Sequence, residues 1–302
     1  MFVTTFDIAM SGRFAPQAAG DEAFRRFCRP DLSHHKSPIQ TVLQDRARVH
    51  LRKAQRFVVP SVVGDIPAYE WRPEGPANGR SILLVHGWTS EAAFMAAFVE
   101  PLRQKGFRVV AFDMPAHGFA RQRQASIIDC AHALEAVAIE AGPFDDVVAH
   151  SLGGLVALMV ADGATPFGKT VAFGRYVLIA VPDTLVEFTR DFARHIALSG
   201  AGLRAFERHL ERIGHRSVGS VSTARFLARS AKPALVVHSR DDEDVPFANA
   251  EAIAAAGHGI RFHPVDGFGH AGVIFAPPVV RTVRSFLLEQ SGAQREKSSA
   301  CA

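Results

Sequence analysis

The sequence is poor in cysteine, with three in 302 residues, at positions 28, 130 and 301. An odd number with no short pairing excludes a disulfide framework and offers no zinc motif. It fits a reducing compartment, so a cytoplasmic location is expected. Long apolar runs are also missing. The longest, Leu155–Ala161 and Tyr176–Val181, fall far short of the roughly 18 residues a membrane span needs. No basic start precedes an apolar block at the N-terminus, where Asp7 and Arg13 stand, so no secretory signal is expected. Neither an internal repeat nor a low-complexity tract is present.

What remains is ordinary for a globular protein, with 48% hydrophobic and 21% charged residues. A chain this long buries a large core without staples. Length alone suggests two domains, although α/β architectures often exceed that as one. The formal net charge is +4. Its distribution is uneven: +5 over residues 1–60, −3 over 61–182, +4 over 183–232 and −2 over 233–302.

From about residue 48 onwards strand and helix signals alternate, which predicts an α/β domain. Strand-like segments are Val49–Val59, Ile66–Trp71, Ser81–Val85, Phe107–Phe112, Asp146–Ala149, Arg175–Ala180, Ala234–His238 and Ile260–Val265. The later ones are mostly short and continuously apolar, as in parallel strands buried on both faces. The first two, joined at Pro60–Asp65, suit an antiparallel hairpin at one edge. Helices are expected at Glu91–Lys105, Gln124–Ala141, Leu152–Ala161, Ala248–Ala256 and Pro278–Glu289.

Residues 183–232 break the alternation. Leu185, Phe188, Phe192 and Ile196 form one apolar helical stripe, and Leu203, Phe206, Leu210 and Ile213 another, with Gly200 and Gly202 between them. This predicts a helical insertion. Residues 1–45 show no convincing period and stay unassigned. Residues 46–182 and 233–290 form the predicted core, and 291–302 read as a flexible tail.

The chemistry centres on Val147-Val148-Ala149-His150-Ser151-Leu152-Gly153-Gly154-Leu155. An apolar strand runs into a turn of small residues and then into an apolar helix. A serine at such an apex is held in a strained conformation with its hydroxyl presented, and residues two before and two after it must be small. The helix that follows aims its N-terminus at the serine, where free N–H groups favour a developing anion. The bland alternative is a serine capping a helix.

This segment resembles the nucleophile elbow of the α/β-hydrolase fold superfamily, with Ala149 where glycine is usual. The resemblance extends over about residues 48–290. His86-Gly87-Trp88 follows the strand Ser81–Val85, where the family places an oxyanion turn. It implies Trp88 N–H and Leu152 N–H as oxyanion donors. His86 is read as structural. Asp113-Met114-Pro115-Ala116-His117-Gly118 is similar to the family's D-x-P-G-H-G loop, and Asp113 is expected to tie down backbone amides. After Ala234–His238, the D-x-x-V-P pattern selects Asp242 as the acid, leaving Asp241 and Asp244 as solvated charges. Asp266-Gly267-Phe268-Gly269-His270 matches the segment carrying the base. It selects His270 over His258 and His263.

The resemblance therefore implies a doubly wound, mostly parallel eight-stranded sheet with an inserted helical cap over the site. It implies a serine esterase-like enzyme, cleaving carboxylic esters through a Ser151–His270–Asp242 triad and an acyl-enzyme, with no cofactor and no metal. Serine as nucleophile argues against dehalogenase and epoxide hydrolase chemistry. Thioesterase, lactonase and carbon–carbon hydrolase activities share the triad, and a non-catalytic binding protein of the same fold is the further alternative. The expected partner is a small ester or acyl substrate. The insertion's charge is read first as solvated arginine faces, with attraction of an anionic substrate as the other option. Basic residues mixed with acids and no accompanying motif argue against nucleic acid. Gly163-Ala164-Thr165-Pro166-Phe167-Gly168-Lys169-Thr170 matches a P-loop pattern. That motif needs a strand before it and a helix after it. Here the predicted order is the reverse, so a helix-to-strand loop is expected.

Overall fold

The computed structural model describes residues 15–30, 45, 47–163 and 171–289. The tail expected over 291–302 lies outside these residues. So does the P-loop-like segment beyond Gly163, which itself caps a helix with φ 63°.

Eight strands form one sheet: β1 (Gln55–Val59), β2 (Ile66–Trp71), β3 (Ser81–Val85), β4 (Arg108–Phe112), β5 (Asp146–His150), β6 (Arg175–Ile179), β7 (Ala234–Ser239) and β8 (Ile260–Val265). Their order is β1-β2-β4-β3-β5-β6-β7-β8. β1 pairs antiparallel with β2, and β2 with β4, while the remaining neighbours are parallel. The expected edge hairpin is thus present. Every residue of β3, β5, β6 and β7 is buried.

The apolar strands hide a period of two. Leu83, Val85, Val147, Ala149 and Leu178 enter one core, while Ile82, Leu84, Val148, Val177 and Ile179 enter another on the opposite face. Helices cover both faces, which explains why the strands read as continuously hydrophobic. α1 (Pro16–Phe27), α2 (Val99–Arg103), α3 (Ile127–Ala141), α4 (Leu152–Asp162), α5 (Leu185–His195), α6 (Gly200–Gly214), α7 (Thr223–Ser230), α8 (Ala248–Ala254) and α9 (Pro277–Leu288) are the helices that matter below.

Several boundaries differ from expectation. Residues 47–51 are helical rather than the start of β1, because Ala47 and Leu51, four apart, drop into the same core as Ile82 and Leu84. The helix expected over 91–105 is split into a 3-10 segment, Ala92–Phe98, and α2. Pro101 has no N–H for a continuous helix, but fits the first turn of a new one. α3 starts at Ile127, where Ser126 and Asp129 close a capping box.

Between β6 and β7 the structure has three helices where two stripes were read. The break between α5 and α6 falls at Ala197–Ser199, and Gly200 and Gly202 belong to α6. Ser199 caps α6 by accepting from Gly202 N. α7 packs against α4 and α8. The ends of the α5–α6 excursion meet in an isolated bridge between Thr184 and Ser222. Asp183 reinforces it: its backbone carbonyl accepts from Thr223 N at 2.7 Å and its carboxylate from Ala224 N at 2.9 Å.

α1 occupies part of the segment left unassigned. Its buried stripe is Ala19, Gly20, Ala23 and Phe27, which packs against α6. A Cβ on Gly20 would lie 2.5 Å from Ala205 Cβ, so only glycine permits this approach.

At the N-terminal ends of the parallel strands, Asp146 binds Arg80 and Arg175, the latter at 3.0 Å. The same guanidinium groups reach the end of α9. Arg175 donates to the carbonyls of Phe286, Leu287 and Glu289, and Arg80 donates to that of Leu287. Carbonyls that a helix end leaves open are thereby satisfied.

Candidate active site

The opposite ends of the strands hold the residues singled out by the sequence. β5 delivers its chain into Ser151, which has φ 52° and ψ −131°, and α4 begins at the next residue. A positive φ is strained for a residue with a side chain, and here the flanking strand and helix impose it. Ser151 N bonds Ile179 O at 2.9 Å, which holds the apex against the neighbouring strand. Gly153 is small for a reason the sequence did not show. A Cβ there would sit 2.2 Å from His86 O, so the constraint comes from the turn after β3.

The structure brings Ser151, His270 and Asp242 together. His270 Nδ1 donates to Asp242 Oδ2 at 2.8 Å, which leaves Nε2 free to accept from Ser151 Oγ at 2.9 Å. Asp242 comes from the loop after β7, and His270 from a single helical turn, Gly269–Gly272, after β8. Asp242 Oδ1 accepts from the amides of Asp244 and Val245 at 3.0 and 2.8 Å. Burial pushes the Asp242 carboxyl upward. Hydrogen bonds from His238, His270 and Val245, with the neighbouring His270 charge, outweigh it and hold the group well below the usual carboxylate range. At neutral pH it therefore faces His270 as a carboxylate.

The competing residues fall elsewhere. Asp241 accepts from Gly267 N at 2.8 Å and Gly269 N at 3.2 Å, so it anchors the loop that carries His270. Asp244 is exposed and contributes its amide. His258 is exposed, and His263 pairs with Thr282 at 3.3 Å.

Leu152 is the first residue of α4. Trp88 follows Gly87, and a Cβ on Gly87 would lie 2.9 Å from Ser151 Cβ. Both expected donors therefore adjoin the serine. The turn that carries Trp88 is built on two neutral histidines. His86 donates through Nδ1 to Gly87 O at 2.7 Å and accepts from Met114 N at 3.0 Å. His117 donates to Pro115 O at 2.9 Å and accepts from Thr89 N at 3.2 Å. Asp113 accepts from Ala92 N, Phe119 N and Tyr69 Oη at 2.8, 3.0 and 2.8 Å, as the expectation of an amide anchor requires.

Two histidines escaped the sequence reading. His150 sits beside the serine, and its Nε2 donates to His270 O at 3.0 Å. Burial, then the nearby His270, lower its pKa to about 3, so it stays neutral. His238, fully buried at the end of β7, has Nε2 2.9 Å from Val245 O and 3.3 Å from Asp242 Oδ2. The available signal was a histidine inside an otherwise apolar strand, four residues before the acid.

The buried neutral histidines His86, His117 and His150 make stability sensitive to acid. Burial depresses His117 to about 4 from 6.5, while the bond to Pro115 opposes the shift. Its stabilising contribution is whole above the unfolded value near 6.5 and is lost as pH falls through 4. Asp113 opposes this trend, because burial raises it to about 6 and the folded state takes its proton first. Urea unfolding of wild type and His117→Asn separates the two. The stability gap between them should narrow by on the order of 2 kcal/mol from pH 7 to 4.5. An unchanged gap would rule out a neutral buried His117.

Among the described residues, no group of three or more His, Cys, Asp or Glu side chains is placed to hold a metal ion. Among the same residues, no single helix is long and apolar enough to cross a membrane.

A family model described as the alpha/beta hydrolase family matches residues 82–288. A pimeloyl-[acyl-carrier protein] methyl ester esterase of Xanthomonas campestris pv. campestris is 27% identical over 233 residues, covering 64% of this chain and 89% of that protein. A serine hydrolase-like protein of Danio rerio is 30% identical over 116 residues, covering 36% of this chain and 33% of that protein. Among solved structures, a thermophilic esterase from Thermogutta terrifontis superposes with a TM-score of 0.56 at 21% identity, covering 78% of this chain and 98% of that chain. The last likeness is one of fold.

Proposed function

The chain belongs to the alpha/beta hydrolase family, and we propose that it is a serine hydrolase that cleaves carboxylic esters through Ser151, His270 and Asp242. The observation that carries this is the unbroken hydrogen-bond chain from Ser151 Oγ through His270 to Asp242. The esterase relative supports the same chemistry.

His270 Nε2 takes the hydroxyl proton as Ser151 Oγ attacks the ester carbonyl. Asp242 holds the ring in the tautomer that leaves Nε2 bare and stabilises the imidazolium that forms. The oxyanion lies between the amides of Trp88 and Leu152. Losing one such donor costs about 2.7–4 kcal/mol of barrier. The proton on His270 goes to the leaving alcohol. Water then attacks the acyl-enzyme, with His270 again as base, and the acid leaves.

The helices α5 and α6 act as a cap on the acyl side. Their positive charge is carried largely by Arg190, Arg194, Arg204, Arg208 and Arg212, all exposed. That favours solvated faces over a charged acyl pocket.

A fluorophosphonate probe tests the reading directly, since only an activated serine reacts. The adduct is expected on the peptide containing Ser151, in protein that also hydrolyses p-nitrophenyl butyrate. Intact protein free of adduct would instead favour a binding module.

A further inference from the structure

α1 lies outside the residues matched by the family model. Its close seat on α6, which only a glycine at position 20 permits, fixes the direction of its last turn. That turn places Phe27 at the centre of an aromatic cluster. Phe27 stacks on Trp88 with centroids 5.9 Å apart and planes 16° from parallel. It meets Phe192 and Phe206 edge-on at 5.1 Å each, and Phe188 at 5.7 Å. Phe188 and Phe192 belong to α5, and Phe206 to α6. Phe27 is 3% exposed, whereas Trp88, Phe188 and Phe192 are only partly buried.

The cluster begins next to the reacting atoms. Trp88 follows Gly87, which abuts Ser151, and packs its ring edge-on against His117 at 4.7 Å. These five rings carry no charge, and Phe27 is the one supplied from outside the family core. An apolar chain leaving the carbonyl past Trp88 would run towards Phe27 and end there.

We propose that Phe27 is a specificity-determining residue, closing the apolar end of the acyl site and setting the longest fatty acyl chain accepted. This rests on the serine hydrolase reading above. With phenylalanine at 27, short acyl chains fit. A smaller residue opens space for further methylenes, each favouring the longer ester by about fourfold once buried.

The test compares p-nitrophenyl butyrate and decanoate with full-length wild type, Phe27→Ala and Phe27→Leu. Phe27→Ala should raise the decanoate-to-butyrate ratio of kcat/KM by about tenfold or more. Phe27→Leu should shift the ratio the same way by less, and it keeps the test alive if alanine does not fold. Parallel loss on both esters in an active enzyme would make Phe27 merely structural and overturn the inference alone. An unchanged ratio would do the same. Wild type inert towards both esters would overturn the hydrolase reading, and the inference with it.

Discussion

Ser151→Ala is expected to lower kcat for p-nitrophenyl butyrate by about 10⁵–10⁶. Loss of the hydroxyl removes the atom proposed to bond carbon, the one that donates to His270 Nε2 at 2.9 Å. What survives is oxyanion stabilisation and binding, which together leave about 10³–10⁴ over water. The substitution is conservative for the fold. Position 151 keeps its Cβ and its positive φ of 52°, so the strain is already present in the wild type. Ser151 N still bonds Ile179 O. The thermal midpoint should move by no more than a few degrees, as for a small exchange without a cavity. Retention of a tenth of wild-type activity by a folded variant would exclude Ser151 as nucleophile.

Asp242→Asn should cost about 10⁴ in kcat. The reason is specific to this loop. The amides of Asp244 and Val245 both donate to Oδ1, so an asparagine oxygen is drawn to that side. Its NH₂ then faces His270 Nδ1 and presses the ring into the tautomer with the proton on Nε2. That nitrogen can no longer accept from Ser151. The same NH₂ also meets His238 Nε2, which lies 3.3 Å from the Oδ2 position and donates towards it, so two donors would face one another. Asp241→Asn is the control, since an amide oxygen still accepts from Gly267 or Gly269. Its effect should stay within about tenfold, consistent with loss of one partly compensated hydrogen bond. Equal losses for the two substitutions would mean that loop distortion, not the tautomer, governs activity.

The strands and the serine turn were legible because burial on two faces writes a continuous apolar run, and a tight strand-to-helix turn demands small residues. Asp242 and His270 could be selected only through the resemblance of their loops to the family's patterns, and the structure places them at 2.8 Å. α1 sets Ala19, Gly20, Ala23 and Phe27 against Asp21, Glu22, Arg25 and Arg26, but three of its four buried residues are small, so the stripe reads weakly as a core face. The 3-10 segment Ala92–Phe98 escaped because its buried residues look equally helical in either geometry. His150 and His238 were passed over as strand residues. The contribution of His150 depends on a residue 120 positions away, which no local pattern records, whereas His238 stands only four residues before Asp242.

The arginine anchorage of α9 has a consequence for the order in which the protein becomes competent during synthesis. Phe286 to Glu289 are translated after Ser151, Asp242 and His270. Until they emerge, Arg80 and Arg175 face the base of the central strands without the carbonyls that accept their hydrogen bonds. A nascent chain that already contains Ser151, Asp242 and His270 is therefore expected to keep the core beneath α9 open and to leave part of these guanidinium donors to water. Closure of that core is expected only once α9, about 20 Å long by its residue count, is complete.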